Sequence, residues 1–161
     1  MKKIVSFFIF LFAINFATFA QVVHKHALGI RFGNNDGFGG EVSYQRKLSE
    51  INRFELDLGY RNQNDYNAYK LSGIYQWVWS IDKGFNWYAG FGAGIGSWND
   101  SRVNSSRDDG LFINGDGNVG IEYNFDIPLL ISLDFRPEIG ILGNYGSNTD
   151  LDIALSLRYQ F

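Results

Sequence analysis

Hydrophobic and polar residues alternate along most of the chain after Gln21, so that every second side chain falls on the same face of an extended backbone. The last segment shows the pattern most clearly. One face carries Leu151, Ile153, Leu155, Leu157, Tyr159 and Phe161. The other face carries Asp152, Ala154, Ser156, Arg158 and Gln160. A period of two residues indicates β-strands with one apolar and one polar face rather than amphipathic helices.

The alternation divides the chain into eight predicted strands, which cover residues 24–32, 38–48, 53–62, 68–80, 85–97, 111–123, 129–141 and 150–161. Several of them match the ~9–11 residues that a tilted strand needs to cross a bilayer. The connections alternate between short turns at 49–52, 81–84 and 124–128 and polar loops at 33–37, 63–67, 98–110 and 142–149. This asymmetry is typical of outer-membrane barrels. The pattern therefore predicts an all-β fold, an eight-stranded antiparallel up-and-down transmembrane β-barrel.

The first twenty residues have a different composition. Lys2 and Lys3 precede a mostly apolar run from Ile4 to Phe16, and the small residues Thr18 and Ala20 follow it. This order is typical of a secretory signal peptide. The apolar run is shorter than the ~20 residues of a membrane-spanning helix. We therefore interpret residues 1–20 as a signal peptide and residues 21–161 as the barrel, and we expect the outer membrane of a Gram-negative bacterium as its location.

Glycine and aromatic positions favour a membrane barrel over its main alternative, a secreted lipocalin-like binding protein. The polar face of segment 85–97 carries four glycines at alternate positions: Gly90, Gly92, Gly94 and Gly96. A face open to water has no need of them, whereas the crowded interior of an eight-stranded barrel does. Aromatic residues also concentrate near both ends of the predicted strands, as rings at the two membrane interfaces do.

Charged residues on the polar faces are expected to fill the barrel as an interior polar network. The network consists of Arg31, Glu41, Glu55, Asp57, Arg61, Lys70, Asp116, Glu122, Asp134, Arg136, Glu138, Asp152 and Arg158. Lys25 and Lys47 have the same parity, that is, they fall at the alternate positions of their strands that face inward. These residues are eight acids and seven bases. A near balance is expected of a closed interior, because an isolated buried charge is costly.

Pro137 interrupts the predicted seventh strand, and a closed barrel has no edge strand in which a proline is tolerated. We therefore expect a bulge at Pro137, or an end to regular pairing above the membrane.

Composition and motifs give little support to catalysis or to a cofactor. The net charge of −3 provides no basic patch for nucleic acid, and the absence of cysteine excludes thiolate chemistry. The string Gly115-Asp-Gly-Asn-Val-Gly120 matches a dinucleotide-binding pattern, but a strand rather than a helix is predicted after it. His24 and His26 share a face without a third metal ligand nearby. We expect no cofactor, no metal and no enzymatic activity.

Two further parts of the sequence bear on an enzymatic or ligand-binding role. Lipid A-modifying barrel enzymes place a histidine near the outer leaflet, whereas both histidines here lie near the short-turn end of the first strand. The loop at 98–110 contains Asp100, Asp108 and Asp109, which suit weak calcium binding, and Arg102 and Arg107, which suit lipopolysaccharide phosphates. Because the loop contains charges of both signs, we expect a loop surrounded by water rather than a binding site for calcium or phosphate.

The end of the chain resembles the C-terminal assembly signal of bacterial outer-membrane proteins, in which apolar residues alternate up to a terminal aromatic residue. The matching positions are Leu155, Leu157, Tyr159 and Phe161. The segments Gly40–Leu48 and Arg53–Gly59 are similar to small barrels of the OmpX and OmpA-like type. The resemblance implies that the barrel assembly machinery recognises the chain, and that outer-membrane lipid and lipopolysaccharide surround it.

The expected function lies on the extracellular loops: surface recognition or adhesion toward an unknown extracellular ligand, or envelope integrity. The alternatives are a narrow porin-like channel and, with less support, a lipid A-modifying enzyme. The number of long charged side chains on the inward face argues against the channel.

Overall fold

The computed structural model describes residues 24–33, 39–63, 66–100, 109–143 and 149–161. The predicted signal peptide, residues 1–20, and the central part of the predicted loop 98–110 lie outside the described residues. Within the described ranges, no helix is long and apolar enough to cross a membrane.

Eight antiparallel strands form a closed barrel in which each strand pairs with its neighbours in the sequence and β1 pairs with β8. The strands are β1 (His26–Phe32), β2 (Glu41–Lys47), β3 (Asn52–Gln63), β4 (Tyr66–Asp82), β5 (Phe85–Asp100), β6 (Asp109–Asn124), β7 (Leu129–Leu142) and β8 (Thr149–Gln160). The predicted fold is therefore confirmed. Closure also satisfies the backbone groups that an open sheet edge would expose to lipid.

Strand ends differ from the predicted ones mainly at the loop end of the barrel. β4 has 17 residues, and β5 and β6 have 16 each, whereas β1 and β2 have seven each. Backbone pairing continues through polar residues such as Asn67 and Asn99, which face each other across β4 and β5. The alternation of apolar residues fades at these positions, so the sequence pattern predicted β4, β5 and β6 too short at this end. The opposite holds for β2, which was predicted over 38–48 and begins only at Glu41. At the opposite end, β4 and β5 are joined through Lys83 and Gly84, and a φ of 88° at Gly84 suits glycine.

The barrel is apolar outside and charged inside, the reverse of a water-soluble domain. Arg31, Arg136 and Arg158 are among the largest fully buried side chains. Large apolar side chains on the outer face are exposed, for example Leu155 at 51% and Phe91 at 63%. An outward apolar band with a polar interior is the arrangement of a barrel surrounded by lipid. The lipocalin-like alternative is therefore wrong, because it requires a polar exterior.

Two levels of stacked aromatic pairs mark the height of the apolar band. Trp79 and Trp87 face each other near the short-turn end with ring centroids 4.4 Å apart. Tyr60 and Tyr69 face each other nearer the loops with centroids 4.8 Å apart. Along β4, Trp79 and Tyr69 are separated by about ten residues, which matches the length of a tilted strand that crosses a bilayer. The strands β4 to β6 extend beyond the upper pair.

Pro137 lies within β7 without ending it. Toward β6, the ladder lapses at Arg136 and Pro137 and resumes at Glu138 in the same register. Toward β8, Pro137 stays paired with Leu151. Because proline has no N–H, it removes ladder bonds on one side only. The predicted bulge at Pro137 is wrong, because the register shift lies further along, near Ile113. Pairing toward β6 is interrupted at Arg136 and Pro137 but does not end there.

Candidate functional site: the charged interior and the loop end

The structure buries twelve of the thirteen residues predicted for the interior network: Arg31, Glu41, Glu55, Asp57, Lys70, Asp116, Glu122, Asp134, Arg136, Glu138, Asp152 and Arg158. Arg61 is only half-buried, because it lies on the last part of β3 near the loop end. Lys25 is exposed and Lys47 is half-buried, both at the short-turn end. These three residues lie near the ends of their strands, whereas the buried ones lie further inside the barrel. Parity indicates the face of a residue but not its depth.

Arg136 on β7 reaches across the barrel to β3. Its Nη2 donates to Asp57 at 2.6 Å and to Glu55 at 2.9 Å, and its Nη1 lies 3.8 Å from Glu41. Arg158 on β8 adds a second donor to Glu55 at 3.1 Å. Because Arg136 is 0% exposed, these ion pairs are shielded from water and hold opposite walls of the barrel together.

Arg31 on β1 is a second centre of charge. Its guanidinium contacts Asp134 at 2.7 Å, Glu41 at 3.0 Å and Asp152 at 2.7 Å. Glu41 therefore lies between Arg31 and Arg136 and joins the two centres into one network. Nearer the loops, Lys70 on β4 bonds Glu138 on β7, and the Asn114 amide donates to both Glu138 and Asp116.

Arg53 is a buried network residue that the prediction omitted. Its Nη1 pairs with Glu122 on β6 at 2.5 Å, and its Nε donates to Gln76 at 2.5 Å. The guanidinium also lies over the Tyr88 ring, 4.5 Å from its centroid. The signal was in the sequence, because Arg53 has the same parity as Glu55.

The buried charges do not balance as predicted. With Arg53 included and the three outer bases left out, the buried charges among the described residues are eight carboxylates and five basic side chains. Several carboxylates therefore share one basic partner, as three do around Arg31. A shared cation has the largest effect on stability, because its removal leaves several buried carboxylates uncompensated.

Inward glycines provide the space for these side chains. A Cβ at Gly94 would overlap the Asn114 amide, and one at Gly120 would overlap the Tyr88 ring. Gly96 lies against the Phe112 ring in the same way. The glycine face of β5 therefore has the steric reason that the sequence indicated.

The filled interior leads to a prediction about conductance. Ion pairs between strands that are not neighbours fill the lumen: Arg136 with Asp57 on β3, Arg31 with Asp134, and Lys70 with Glu138. We expect planar bilayer recordings of the purified barrel to show no discrete openings. Reproducible unitary steps from the wild-type protein, absent with detergent alone, would contradict the filled-barrel interpretation.

His26 and the string Gly115–Gly120 both lie within strands of the barrel. His26 Nδ1 lies 2.7 Å from the Tyr44 hydroxyl, and its ring stacks on Tyr44 and Phe161 at the short-turn end. In the described part of the chain, no group of three His, Cys, Asp or Glu side chains is arranged so that it could hold a metal ion. The string Gly115–Gly120 lies inside β6, where there is no strand-to-helix turn to bind a phosphate. The side chains of Asp100, Asp108 and Asp109 in the loop 98–110 lie outside the described part of the structure.

A surface groove of about 360 Å³ lies at the loop end of β4, β5 and β6. We call it the loop-end groove, and it is lined by Asn67, Tyr69, Ser97, Trp98, Asn99, Gly110 and Leu111. Its position at and above the upper aromatic pair places it where the barrel leaves the apolar band. Amide, hydroxyl and aromatic groups lie side by side there, a mixture suited to polar ligands with apolar faces.

Comparison with known proteins supports the fold. No protein-family model and no curated protein sequence matches the chain. Among solved structures, the N-terminal β-barrel domain of Pseudomonas aeruginosa OprF is similar with a TM-score of 0.65 and 13% identity, over 84% of this chain and 96% of that one. Neisserial surface protein A is similar with a TM-score of 0.57 and 14% identity, over 84% and 94%. Ail of Yersinia pestis has a TM-score of 0.55 and 14% identity, over 84% and 96%.

The architecture, the inside-out polarity and these neighbours define one class of protein. The chain has the fold of the small eight-stranded outer-membrane β-barrels of Gram-negative bacteria, of the OmpX and OmpA-like type.

Proposed function

We propose that this chain is a non-enzymatic outer-membrane protein that acts through its extracellular end, in surface recognition or in envelope integrity. The observation that carries the proposal is the extension of β4, β5 and β6 past the upper aromatic pair, where they form the loop-end groove. The occupied lumen supports it, because a filled barrel offers no path for solute transport. The function then depends on surfaces at the ends of the barrel.

Lipopolysaccharide and outer-membrane lipid are the proposed surroundings of the outer face. The groove lies at the level where lipid headgroups meet aromatic side chains such as Tyr69. A barrel of this fold can also bind a sulfated sugar, since Ail of Yersinia pestis has been crystallised with the heparin analogue sucrose octasulfate. An extracellular ligand at the loop end is therefore compatible with the fold.

The two ends of the chain are proposed to direct its export and its assembly. We propose that residues 1–20 direct secretion, and that Leu155, Leu157, Tyr159 and Phe161 are read by the barrel assembly machinery. These four side chains lie on the outward face of the barrel, three on β8 and the fourth at the terminal Phe161, and they are 45–53% exposed. An outward face remains accessible to another protein before the barrel reaches lipid.

The test uses a deletion strain complemented with the wild-type chain, with Asn67→Ala/Asn99→Ala, or with a chain in which residues 101–108 are replaced by a short Gly–Ser turn. Cell adhesion and detergent resistance are measured at equal levels of heat-modifiable barrel. We expect one of these properties to be lost in the loop variant and to fall about tenfold in the groove variant.

A matched control carries Arg46→Ala, which removes an exposed side chain at the opposite end. Full complementation of both properties by the loop and groove variants would refute the proposal. A lipid A profile that changes on deletion would instead indicate an enzyme.

A further inference from the structure

Three basic side chains form a row across neighbouring strands at the short-turn end of the lumen. Lys47 and Arg53 are direct partners across β2 and β3. Lys25 precedes β1 in line with the pairing of His26 and Arg46, and its carbonyl accepts a bond from the Lys47 N–H at 2.8 Å. We call Lys25, Lys47 and Arg53 the basic row. Like charges on directly opposed residues destabilise a sheet, so the row needs anionic compensation.

The protein supplies only part of that compensation. Lys47 pairs with Glu50 at 3.0 Å, but the Glu50 side chain is 90% exposed, so this pair contributes little. Arg53 pairs with Glu122 at 2.5 Å. Among the described residues that line the cavity at this end, these two acids are the carboxylates, against three basic side chains.

The basic row lines a cavity of about 240 Å³ that opens at the short-turn end. Arg53 forms part of its inner wall, and Arg53 Nη2 has no hydrogen-bond partner among the described residues although the side chain is only 9% exposed. Side-chain amides of Gln45, Asn86 and Asn124 also line the cavity and can donate further bonds. A positively charged recess with low-dielectric walls raises the local concentration of anions.

We propose that this cavity is a binding site for a small oxyanion, a phosphate or carboxylate group, held by Lys25, Lys47 and Arg53. The basic row provides the charge, the side-chain amides of Gln45, Asn86 and Asn124 provide further donors, and the open mouth provides access. The site lies at the end of the barrel opposite to the loop-end groove, so a negative result for one does not bear on the other.

Amide chemical-shift titrations of the folded barrel in detergent micelles test this site, with inorganic phosphate and acetate as probes and chloride as the reference salt. We expect saturable shifts at Lys47, Asn52 and Arg53 with one or both oxyanions at millimolar concentration. In Lys25→Gln/Lys47→Gln, the affinity should fall about tenfold. The relative strength of phosphate and acetate identifies the preferred oxyanion.

The matched control is Arg46→Gln/Lys83→Gln, which removes two positive charges at the same end from residues that do not line the cavity. Heat-modifiable migration verifies that both variants fold. The control should bind as the wild type does. Shifts that fail to saturate, that chloride reproduces, or that weaken equally in both variants would overturn the proposal.

Discussion

Replacing Arg136 with methionine should lower the free energy of unfolding by about 3–5 kcal/mol, the range for removing one partner of a buried ion pair. Arg136 is fully buried and lies within 3.8 Å of Glu41, Glu55 and Asp57. Methionine fills similar space without charge, so the three carboxylates lose their shared cation. The measurement is urea unfolding in detergent or lipid, followed by the heat-modifiable shift on a gel.

Two companion variants distinguish electrostatics from a general loss of packing. Arg46→Met makes the same chemical change at an exposed position on β2 and should leave stability nearly unaltered. Adding Asp57→Asn to Arg136→Met removes one uncompensated carboxylate and should recover part of the loss. If Arg136→Met unfolds like Arg46→Met, or if Asp57→Asn worsens it, the network does not stabilise the barrel as argued.

Replacing Gly92 with alanine should prevent folding or destabilise the barrel by about 1–3 kcal/mol or more, as overpacking does. A Cβ at Gly92 would overlap the Gly73 carbonyl oxygen of the neighbouring strand and lie 2.8 Å from the Ile74 Cα. These are backbone atoms of a hydrogen-bonded ladder, so they cannot move aside without breaking bonds. The folded fraction on refolding and the midpoint of urea unfolding measure the effect.

Gly115→Ala is the matched control for Gly92→Ala. Gly115 lies on the outer face of β6, where an added Cβ would meet Ile141 Cδ1 at an ordinary 3.5 Å. This variant should fold as well as the wild type or slightly better, because alanine reduces the conformational freedom of the unfolded chain. Equal losses in the two variants would show that glycine matters for flexibility rather than for interior space.

Parity predicted most of the buried charges, and position along the strand accounts for the failures. Glu55 and Asp57 are buried because they fall in the middle of β3, whereas Arg61 has the same parity but lies near the loop end. Arg53 shows the converse: a residue at the start of β3 is buried because Glu122 and Tyr88 cover it from other strands. The sequence pattern reports the face of each residue but not the depth.

The sequence by itself determined the strand number, the antiparallel order, the inside-out polarity and the crowded glycine face. These features follow from local geometry, because a period of two assigns each side chain to one face of its strand and short turns join neighbours. They are therefore readable from residues a few positions apart.

Only the tertiary structure decided which charges meet, how they balance and where the two cavities form. Arg31 bonds Asp134, which is 103 positions away, and Arg158 bonds Ser43, which is 115 positions away. Such pairs depend on closure and register, which bring side chains from strands that are not neighbours into a lumen narrow enough for direct contact. The basic row likewise exists only because the register aligns Lys47 with Arg53 on one side and with Lys25 on the other.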